Sequence, residues 1–374
     1  MKIIAFYLPQ FHSFPENDEW WGKGFTEWTN TKKGKPNFKG HYQPQIPKDN
    51  YYYNLLEDST VIPKQIDLAK QFGIDGFCFY HYWFSNGKKL MEKPIERFLN
   101  DKSLDIPFCL CWANENWSRR WDGSEQSILI AQDYGDKEDR IRHIEYLIDF
   151  FGDKRYMKDD DGRPILLIYK PQLIDNLSEL LSEWREKVIA AGFPGVCFVC
   201  QYPQSDIDIK NKFDYWINFE PIATTSIPGN DFLQAIKISP KYAFEVGIVK
   251  LLQLLKIRSY KKYNYKDAVN ASKKRKIESS KEWLGAFPGW DNTARRGKKS
   301  IIYYNSTPSI FEEYVYIQLI KSFRAGQEGI LFINAWNEWA EGAHLEPDEK
   351  DGFKYLQAVK RAREKAIEYI SKEV

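Results

Sequence analysis

Residues 329–341 read GILFINAWNEWAE, an apolar run of strand length followed at once by two glutamates set among tryptophans. Continuous hydrophobicity of this kind is typical of a strand that is buried on both faces, as parallel strands are. Seven other short apolar runs share this character and also end in polar or aromatic residues: KIIAFYL (2–8), IDGFCFY (74–80), IPFCLCW (106–112), PILLIY (164–169), GVCFVCQ (195–201), DYWINF (214–219) and EWLGAFP (282–288). The chain therefore contains eight candidate buried strands.

Helical periodicity separates most of these runs, at residues 61–72, 137–151, 178–191, 310–325 and 351–371. Eight buried strands that alternate with helices favour an α/β fold, a (β/α)8 TIM barrel, with a doubly wound sheet as the alternative. A length of 374 residues is compatible with two domains, but no repeat, low-complexity tract or linker divides the chain. We therefore predict a single catalytic barrel over residues 1–374.

Two segments are additional to a minimal barrel. Residues 13–60 predict a long first loop over one face, and residues 221–281 predict a basic helical insertion between strands six and seven. Within 250–281, eleven Lys or Arg residues oppose only Asp267 and Glu278. Such a segment is typical of a solvated helical face, and the alternative is a surface that contacts anionic lipid headgroups or an acidic glycan.

Composition and charge exclude some functions. With 54 basic and 52 acidic residues the formal charge is +2, so no global field favours nucleic acid. Residues 1–9 predict a strand and not a signal peptide, and no segment approaches the roughly 18 apolar residues of a membrane helix. We expect a cytoplasmic protein without a nucleic acid partner, whose only membrane contact would be peripheral, through residues 250–281.

The sequence lacks the motifs of common cofactor-dependent enzymes. It has no Gly-x-Ser-x-Gly, no P-loop and no Rossmann glycine fingerprint after the first strand, and its five histidines have no tight ligand spacing. The five cysteines lie in apolar runs and are expected to be core thiols, with a zinc site of Cys109, Cys111, Cys197 and Cys200 as the less favoured alternative. We expect neither a cofactor nor a metal.

The active site of a TIM barrel forms at the carboxyl ends of its strands. Here those ends collect carboxylates, amides and indoles, which a glycan site needs for proton transfer, hydroxyl binding and stacking of sugar rings. Glu338 and Glu341 are the predicted acid/base pair, one ionised and one protonated, and a surface loop with incidental acids is the alternative. The predicted substrate-binding residues are Tyr7, His81, Tyr82, Trp83, Trp112, Asn114, Glu115, Trp117, Trp290, Asp291, Trp336, Asn337 and Trp339.

Three of these residues have alternative interpretations. Glu115 follows the third strand and is expected to bind substrate or support the site, with direct proton transfer as the second possibility. His81 is expected to bind a sugar hydroxyl or to be a packed ring, and a role as a base is less favoured. Asp291 either binds sugar hydroxyls or caps a turn.

Several motifs along the chain are shared with a known group of proteins: Phe6-Tyr7-Leu8-Pro9-Gln10-Phe11-His12, Trp21-Gly22, Phe25-Thr26-Glu27-Trp28, Tyr80-His81-Tyr82-Trp83, Trp112-Ala113-Asn114-Glu115, Gly289-Trp290-Asp291-Asn292-Thr293 and Asn337-Glu338-Trp339-x-Glu341-Gly342. On these motifs the chain resembles, over nearly its whole length, the WbsX-type family of polysaccharide-locus proteins, a group similar to glycoside hydrolase family 99.

The resemblance implies a (β/α)8 barrel and a retaining enzyme that cleaves internal α-mannosidic bonds, or transfers the sugar, in the metabolism of a cell-surface polysaccharide such as O-antigen or capsule. It also implies a 1,2-anhydro sugar intermediate, with Glu338 as the base towards the sugar 2-hydroxyl and Glu341 as the acid/base. The implied partner is an oligo- or polysaccharide, free or lipid-linked.

Two other functions stay open at this point. A glycosyltransferase of polysaccharide biosynthesis would need a diphosphate-binding cluster, for which Arg119, Arg120, Arg295 and Arg296 are the candidates. A non-catalytic glycan-binding module would tolerate the loss of either glutamate, whereas both are present at the motif spacing.

Overall fold

The computed structural model of the protein describes residues 1–118, 128–202, 206–225, 260–326 and 330–373, with eight further positions between 240 and 255. Eight parallel strands form a closed barrel: β1 (Lys2–Tyr7), β2 (Gly76–Phe84), β3 (Phe108–Trp112), β4 (Ile165–Ile168), β5 (Cys197–Cys200), β6 (Tyr215–Ile217), β7 (Glu282–Ala286) and β8 (Ile330–Ile333). Each strand pairs with its neighbour in the chain, and β1 also pairs with β8, which closes the sheet. The predicted TIM barrel is confirmed.

A helix follows every barrel strand: α1 (Val61–Phe72), α2 (Glu92–Asn100), α3 (Lys137–Phe151), α4 (Leu177–Ala190), α5 (Ile207–Asn211), α6 (Tyr265–Lys274), α7 (Pro308–Arg324) and α8 (Lys354–Glu373). Shorter helical segments decorate the loops: Pro15–Trp21, Glu27–Lys33, Lys48–Asn50, Pro171–Leu173, Ile222–Thr225, Thr293–Arg296, Gly297–Lys299 and Trp339–Glu341. The remaining short strands are Lys88–Leu90, Trp117–Ser118, Ile128–Ile130, Lys261–Asn264, Trp290–Asp291, Ile301–Tyr304, Asn337–Glu338 and Ala343–His344. Among the described residues, no helix has both the length and the apolar composition that a membrane span requires.

The barrel strands are buried on both faces because apolar side chains fill the interior and also face the surrounding helices. On the inner face, the ring of Phe6 stacks on Tyr80 at 5.6 Å between centroids and lies 5.4 Å from Phe332. On the outer face of the same strand, the hydroxyl of Tyr7 donates to Gln65 of α1 at 2.7 Å. Neighbouring residues of a strand point to opposite faces, so a continuous apolar run fills both the barrel interior and the layer between strands and helices.

The predicted insertion at 221–281 ends in a helix that belongs to the barrel itself. Residues 265–274 form α6, a regular barrel helix with one buried side and one solvated side. Its Tyr265 hydroxyl donates to the carbonyl of Phe287 at 2.6 Å, and its Ser272 hydroxyl lies 2.9 Å from the hydroxyl of Tyr314 in α7. Its lysines occupy the outer side of a helix whose other side is buried, so composition alone suggested a solvated segment. Most of 226–259 lies outside the described residues.

An accessory sheet follows this region. Strand Lys261–Asn264 pairs in parallel with Ile301–Tyr304, which pairs antiparallel with Trp290–Asp291. Because Trp290 and Asp291 follow β7, this sheet lies at the carboxyl end of the barrel.

The long first loop lies over the same end. The indole of Trp28 packs 5.4 Å from that of Trp339 and donates from Nε1 to the carbonyl of Tyr53 at 2.8 Å. The predicted loop over one face is therefore present, and it brings residues from the beginning of the chain to the turn after β8.

Candidate active site

Glu338 and Glu341 lie in a tight turn after β8 and share one cation. Glu338 ends a two-residue strand, Glu341 ends the single turn Trp339–Glu341, and Gly342 reverses the chain with a φ of 60°. The guanidinium of Arg295 donates from Nη2 to Oε2 of Glu338 at 2.9 Å and from Nη1 to Oε1 of Glu341 at 2.5 Å. The turn thus aims both carboxylates at the same point.

Glu27 is a third carboxylate of this cluster. It is fully buried at the start of the helix Glu27–Lys33, and its Oε1 accepts from Nη2 of Arg295 at 2.6 Å and from the backbone N–H of Ala340 at 3.3 Å. Arg295 itself belongs to the short helix after Trp290–Asp291, and its side chain is only 9% exposed. Residues from the loops after β1, β7 and β8 therefore meet at one ion-pair cluster.

Burial sets the protonation of this cluster. Loss of water raises the pKa of Glu338 and of Glu341 to about 7, against the opposing charge of Arg295. Burial also raises the pKa of Glu27. Three carboxylates with one guanidinium do not all stay ionised in such a place, so the cluster exchanges protons near neutral pH. Both glutamates have a pKa of about 7, so these values do not distinguish an ionised from a protonated member of the pair. That one is ionised and the other protonated stays a prediction.

Three tyrosines surround the glutamates inside the barrel mouth. Burial and then nearby charges raise the pKa of Tyr82 and Tyr80, with Glu338 among those charges for both. The pKa of Tyr169, directly after β4, is likewise raised by burial and then by the charges of Glu115 and Glu341. The predicted residue Trp117 packs edge-on against Tyr82 at 5.3 Å, so it also belongs to this wall.

Strand alternation divides the motif Tyr80-His81-Tyr82-Trp83. The tyrosines face the glutamates, whereas His81 and Trp83 face α3 on the outside of the barrel. Nε2 of His81 lies 2.9 Å from Nε2 of His143 in α3, and the ring of Trp83 stacks on His143 at 4.5 Å. His81 and Trp83 are therefore packed against α3, and from this position they do not reach a sugar inside the barrel. Trp112 likewise lies between His143 and Trp184 of α4, outside the barrel.

The two predicted asparagines hold the barrel rim together. Asn114 donates to the carbonyl of Lys170 at 2.8 Å and accepts from its N–H at 2.8 Å. Asn337 does the same with Leu8, at 3.0 Å and 2.8 Å. Each side-chain amide thus joins the ends of two strands through a pair of backbone hydrogen bonds, so these amides have structural partners in place of a sugar.

Three predicted aromatic residues are also committed to packing. Tyr7 bonds Gln65 on the outer face of β1, and Trp336 packs against Phe77 at 5.0 Å. Trp339 donates from Nε1 to Glu346 at 2.7 Å. All three are at most 1% exposed, and their roles in sugar binding stay predictions.

The remaining predicted residues lie at the rim. Glu115 forms an ion pair with Lys170, and its side chain is 35% exposed. Oδ2 of Asp291 lies 2.6 Å from Nε2 of His41 and accepts from Nε2 of Gln43 at 2.6 Å, while its Oδ1 accepts from the hydroxyl of Thr293. Asp291 therefore anchors the first loop and caps its own turn, which favours the structural alternative.

Sequence reasoning did not include Glu27 in the site and considered Arg295 only as a phosphate ligand. Both are charged residues within or next to motifs shared with the related family, at Phe25-Thr26-Glu27-Trp28 and two positions after Thr293. Glu27 stands among the aromatic residues of its motif, and a charged residue in such apolar surroundings indicates a buried ion pair. The partner could not be found from the sequence, because 268 positions separate the two residues.

The buried pair of histidines leads to a prediction about stability. Burial lowers the pKa of His81 to about 3 and that of His143 well below its usual value, so both are neutral in the folded protein. Between about pH 6.5 and 3 the unfolded chain takes up protons that the folded chain does not, so the free energy of unfolding should fall as pH falls. His143→Phe keeps the flat ring against Trp83 and should reduce this pH dependence in thermal melts from pH 7 to 4. An unchanged slope would contradict the assignment.

Comparison with known proteins adds the family. The family described as "Glycosyltransferase WbsX" matches residues 3–359. The protein WxcX from two strains of Xanthomonas campestris pv. campestris is 36% identical over 369 residues, which cover 97% of this chain and 50% of the relative. The chain spans about half the length of the curated relatives it matches.

Solved structures show the same fold. A GH99 endo-alpha-mannosidase of Bacteroides thetaiotaomicron superposes with a TM-score of 0.58 at 12% identity, over 99% of this chain and 98% of that chain. A glycoside hydrolase-like protein gives a TM-score of 0.58 at 13% identity, over 96% and 93% of the two chains. At such low identity the likeness concerns the barrel and not its chemistry.

Proposed function

Because the chain belongs to the WbsX glycosyltransferase family, with a barrel also found in an endo-alpha-mannosidase, we propose that it is a retaining glycosidase or transglycosylase acting on an α-mannoside-like glycan. The proposed setting is the metabolism of a cell-surface polysaccharide. The observation that carries the proposal is the pair Glu338 and Glu341, both with a pKa of about 7 and both held by Arg295. General acid/base catalysis is most effective when the catalytic pKa is near the working pH.

In the proposed first step, ionised Glu338 takes the proton of the sugar 2-hydroxyl, and O2 attacks the anomeric carbon. The bond from the anomeric carbon to the leaving oxygen breaks, and Glu341 gives its proton to that oxygen. The product is a 1,2-anhydro sugar, with Glu338 protonated and Glu341 ionised. No bond forms between a carboxylate and carbon, so the separation of the carboxylates does not determine the stereochemistry in the usual way.

In the second step, Glu341 takes a proton from water or from an acceptor hydroxyl, whose oxygen attacks the anomeric carbon. The anhydro ring opens, and O2 recovers its proton from Glu338. Two successive inversions give net retention, and both glutamates return to their starting protonation. The ion-pair cluster supports this exchange because one guanidinium contacts both carboxylates.

The family description favours transfer from an activated sugar as a second candidate function. Of the arginines expected to bind a diphosphate, Arg119 and Arg120 lie outside the described residues. Arg295 is engaged by three carboxylates, which would repel a diphosphate. The carboxylates around Arg295 therefore disfavour a diphosphate site at this arginine.

A 2-deoxy substrate tests the proposed mechanism. An α-mannosyl fluoride should be hydrolysed with retention, whereas its 2-deoxy analogue should show no enzymatic turnover, because it lacks the hydroxyl that must attack. The analogue is intrinsically the more reactive glycoside, so its inertness would be specific. Cleavage of both substrates would contradict the anhydro route, and consumption of a nucleotide sugar with no fluoride release would favour the transferase.

A further inference from the structure

A cavity of about 660 Å³ lies beside the carboxylate cluster at the carboxyl end of the barrel. Gly342, which directly follows Glu341, lines this cavity together with Asp291. A Cβ on Gly342 would lie 3.1 Å from the backbone N of Asp291, so these two walls meet closely. Glu338 and Glu341 are not among the lining residues, so the cavity adjoins the turn that carries them.

Aromatic rings form much of the cavity wall. They come from the first loop, the accessory sheet and the start of α8: Phe38, Tyr42, Trp290, Tyr303, Tyr304 and Tyr355. Flat apolar faces with polar edges suit sugar rings, and the volume is that of a small-ligand site. Trp290 is partly exposed here, in contrast to the buried tryptophans at the end of β8.

Lys262 of the accessory sheet supplies a positioned positive charge. Its Nζ lies 3.9 Å from the ring centroid of Phe38 and 4.3 Å from that of Tyr304. Packing between two rings restrains the side chain and removes part of its water, so its attraction for an anion is stronger than that of a fully hydrated lysine. Lys39 also lines the cavity, and so does Lys350, whose charge is paired with a neighbouring aspartate.

The aspartates of the cavity wall are largely engaged by protein groups. Asp291 holds His41, Gln43 and Thr293, as described above. Asp348 pairs with His344 at 3.2 Å and accepts from the N–H of Asp351 at 2.5 Å. Asp351, the third aspartate of the wall, pairs with Lys350 at 3.6 Å, so an anionic group of a ligand would meet the ammonium group of Lys262 over the aromatic rings.

We propose that this cavity binds a sugar residue that carries an anionic group, a carboxylate or a phosphate, and that Lys262 recognises that group. The inference rests on the proposed function: the acidic sugar belongs to the glycan that is cleaved, and the bond next to it is presented to Glu341. The cavity thereby selects an acidic polysaccharide.

Binding of monosaccharide probes tests this without requiring turnover. Saturation-transfer NMR at 0.15 M salt would compare glucuronic acid, mannose 6-phosphate, glucose and mannose with the full chain. At least one acidic sugar should bind about tenfold or more tightly than its neutral counterpart, since hydrogen bonds to charged groups are the stronger ones. The tighter of the two acidic probes identifies the source of the anion. Equal affinity of acidic and neutral sugars overturns the proposal.

Two variants of one strand localise the effect. Lys262→Met keeps the apolar stem between the rings and removes the charge, so it should abolish the preference for acidic sugars. Lys261→Met is the matched control, because the neighbouring residue of a strand points to the opposite face and Lys261 is not a described lining residue. Equal losses in both variants would show a general charge effect and overturn the proposal.

Failure of this inference is distinguishable from failure of the proposed function. If the chain binds acidic sugars through Lys262 but does not hydrolyse mannosyl fluoride, the proposed binding site stands and the proposed glycosidase activity is wrong. If the chain hydrolyses mannosyl fluoride but shows no preference for acidic sugars, the proposed glycosidase activity stands and the proposed binding site is wrong.

Discussion

Glu338→Gln and Glu341→Gln are each expected to lower kcat/KM for an α-mannan oligosaccharide by about a hundredfold or more, the usual scale of a lost general acid or base. Their effects should differ with an α-mannosyl fluoride, because fluoride leaves without much help from an acid. Glu341→Gln should then retain much more of its kcat/KM, which reports the first step, than on the oligosaccharide, whereas Glu338→Gln should lose as much as before. Steady-state kinetics on the two substrates measure both effects.

Glu346→Gln is the matched control for these two variants. Glu346 follows the same turn by four residues, and its carboxylate accepts hydrogen bonds from Trp339 at 2.7 Å, Gln65 at 2.6 Å and Tyr53 at 3.0 Å. Glutamine retains one oxygen acceptor there, so this variant should melt at a lower temperature yet keep activity within a few-fold. If Glu346→Gln loses as much activity as the other two, the losses reflect damage to the turn and not acid/base chemistry.

Replacing Arg295 should change both stability and the pH dependence of activity. Arg295→Ala leaves three buried carboxylates without their cation, a change that costs about 3–5 kcal/mol when one partner of a buried pair is removed. The charge of Arg295 lowers the pKa of Glu338 and Glu341, so both values should rise in its absence. A base with a raised pKa is ionised only at higher pH, so the pH optimum should move in the alkaline direction.

Arg295→Lys separates charge from geometry. Lysine keeps the positive charge but lacks the two-nitrogen fork that reaches Glu338 from Nη2 and Glu341 from Nη1. We expect a smaller shift of the pH optimum than for Arg295→Ala, with a clear loss of kcat. Arg296→Lys, at the next position, should leave the profile unchanged. An unaltered pH profile in Arg295→Ala, measured where that variant is folded, would show that Arg295 does not set the protonation of the pair.

Local sequence was sufficient for the regular elements of the barrel. Each of the eight apolar runs overlaps one barrel strand, although β2 continues to Phe84, beyond its run, and the predicted helical stretches at 61–72 and 137–151 coincide with α1 and α3. The helices that were not predicted, α2 and α5, have nine and five residues, too few for a clear period of 3.6. The predicted insertion absorbed α6 because its lysines dominate the composition of that stretch.

The chain by itself determined that Glu338 and Glu341 follow strand eight, because the continuous apolar run predicts the buried strand and the polar residues begin directly after it. Only the tertiary structure decided which neighbours these glutamates have. Arg295 and Glu27 reach them from distant loops, and the two-residue period of β2 turns Tyr82 towards the glutamates and His81 away. The pKa of an acid depends on burial and on charges within a few ångströms, and these distances exist only when the barrel has closed.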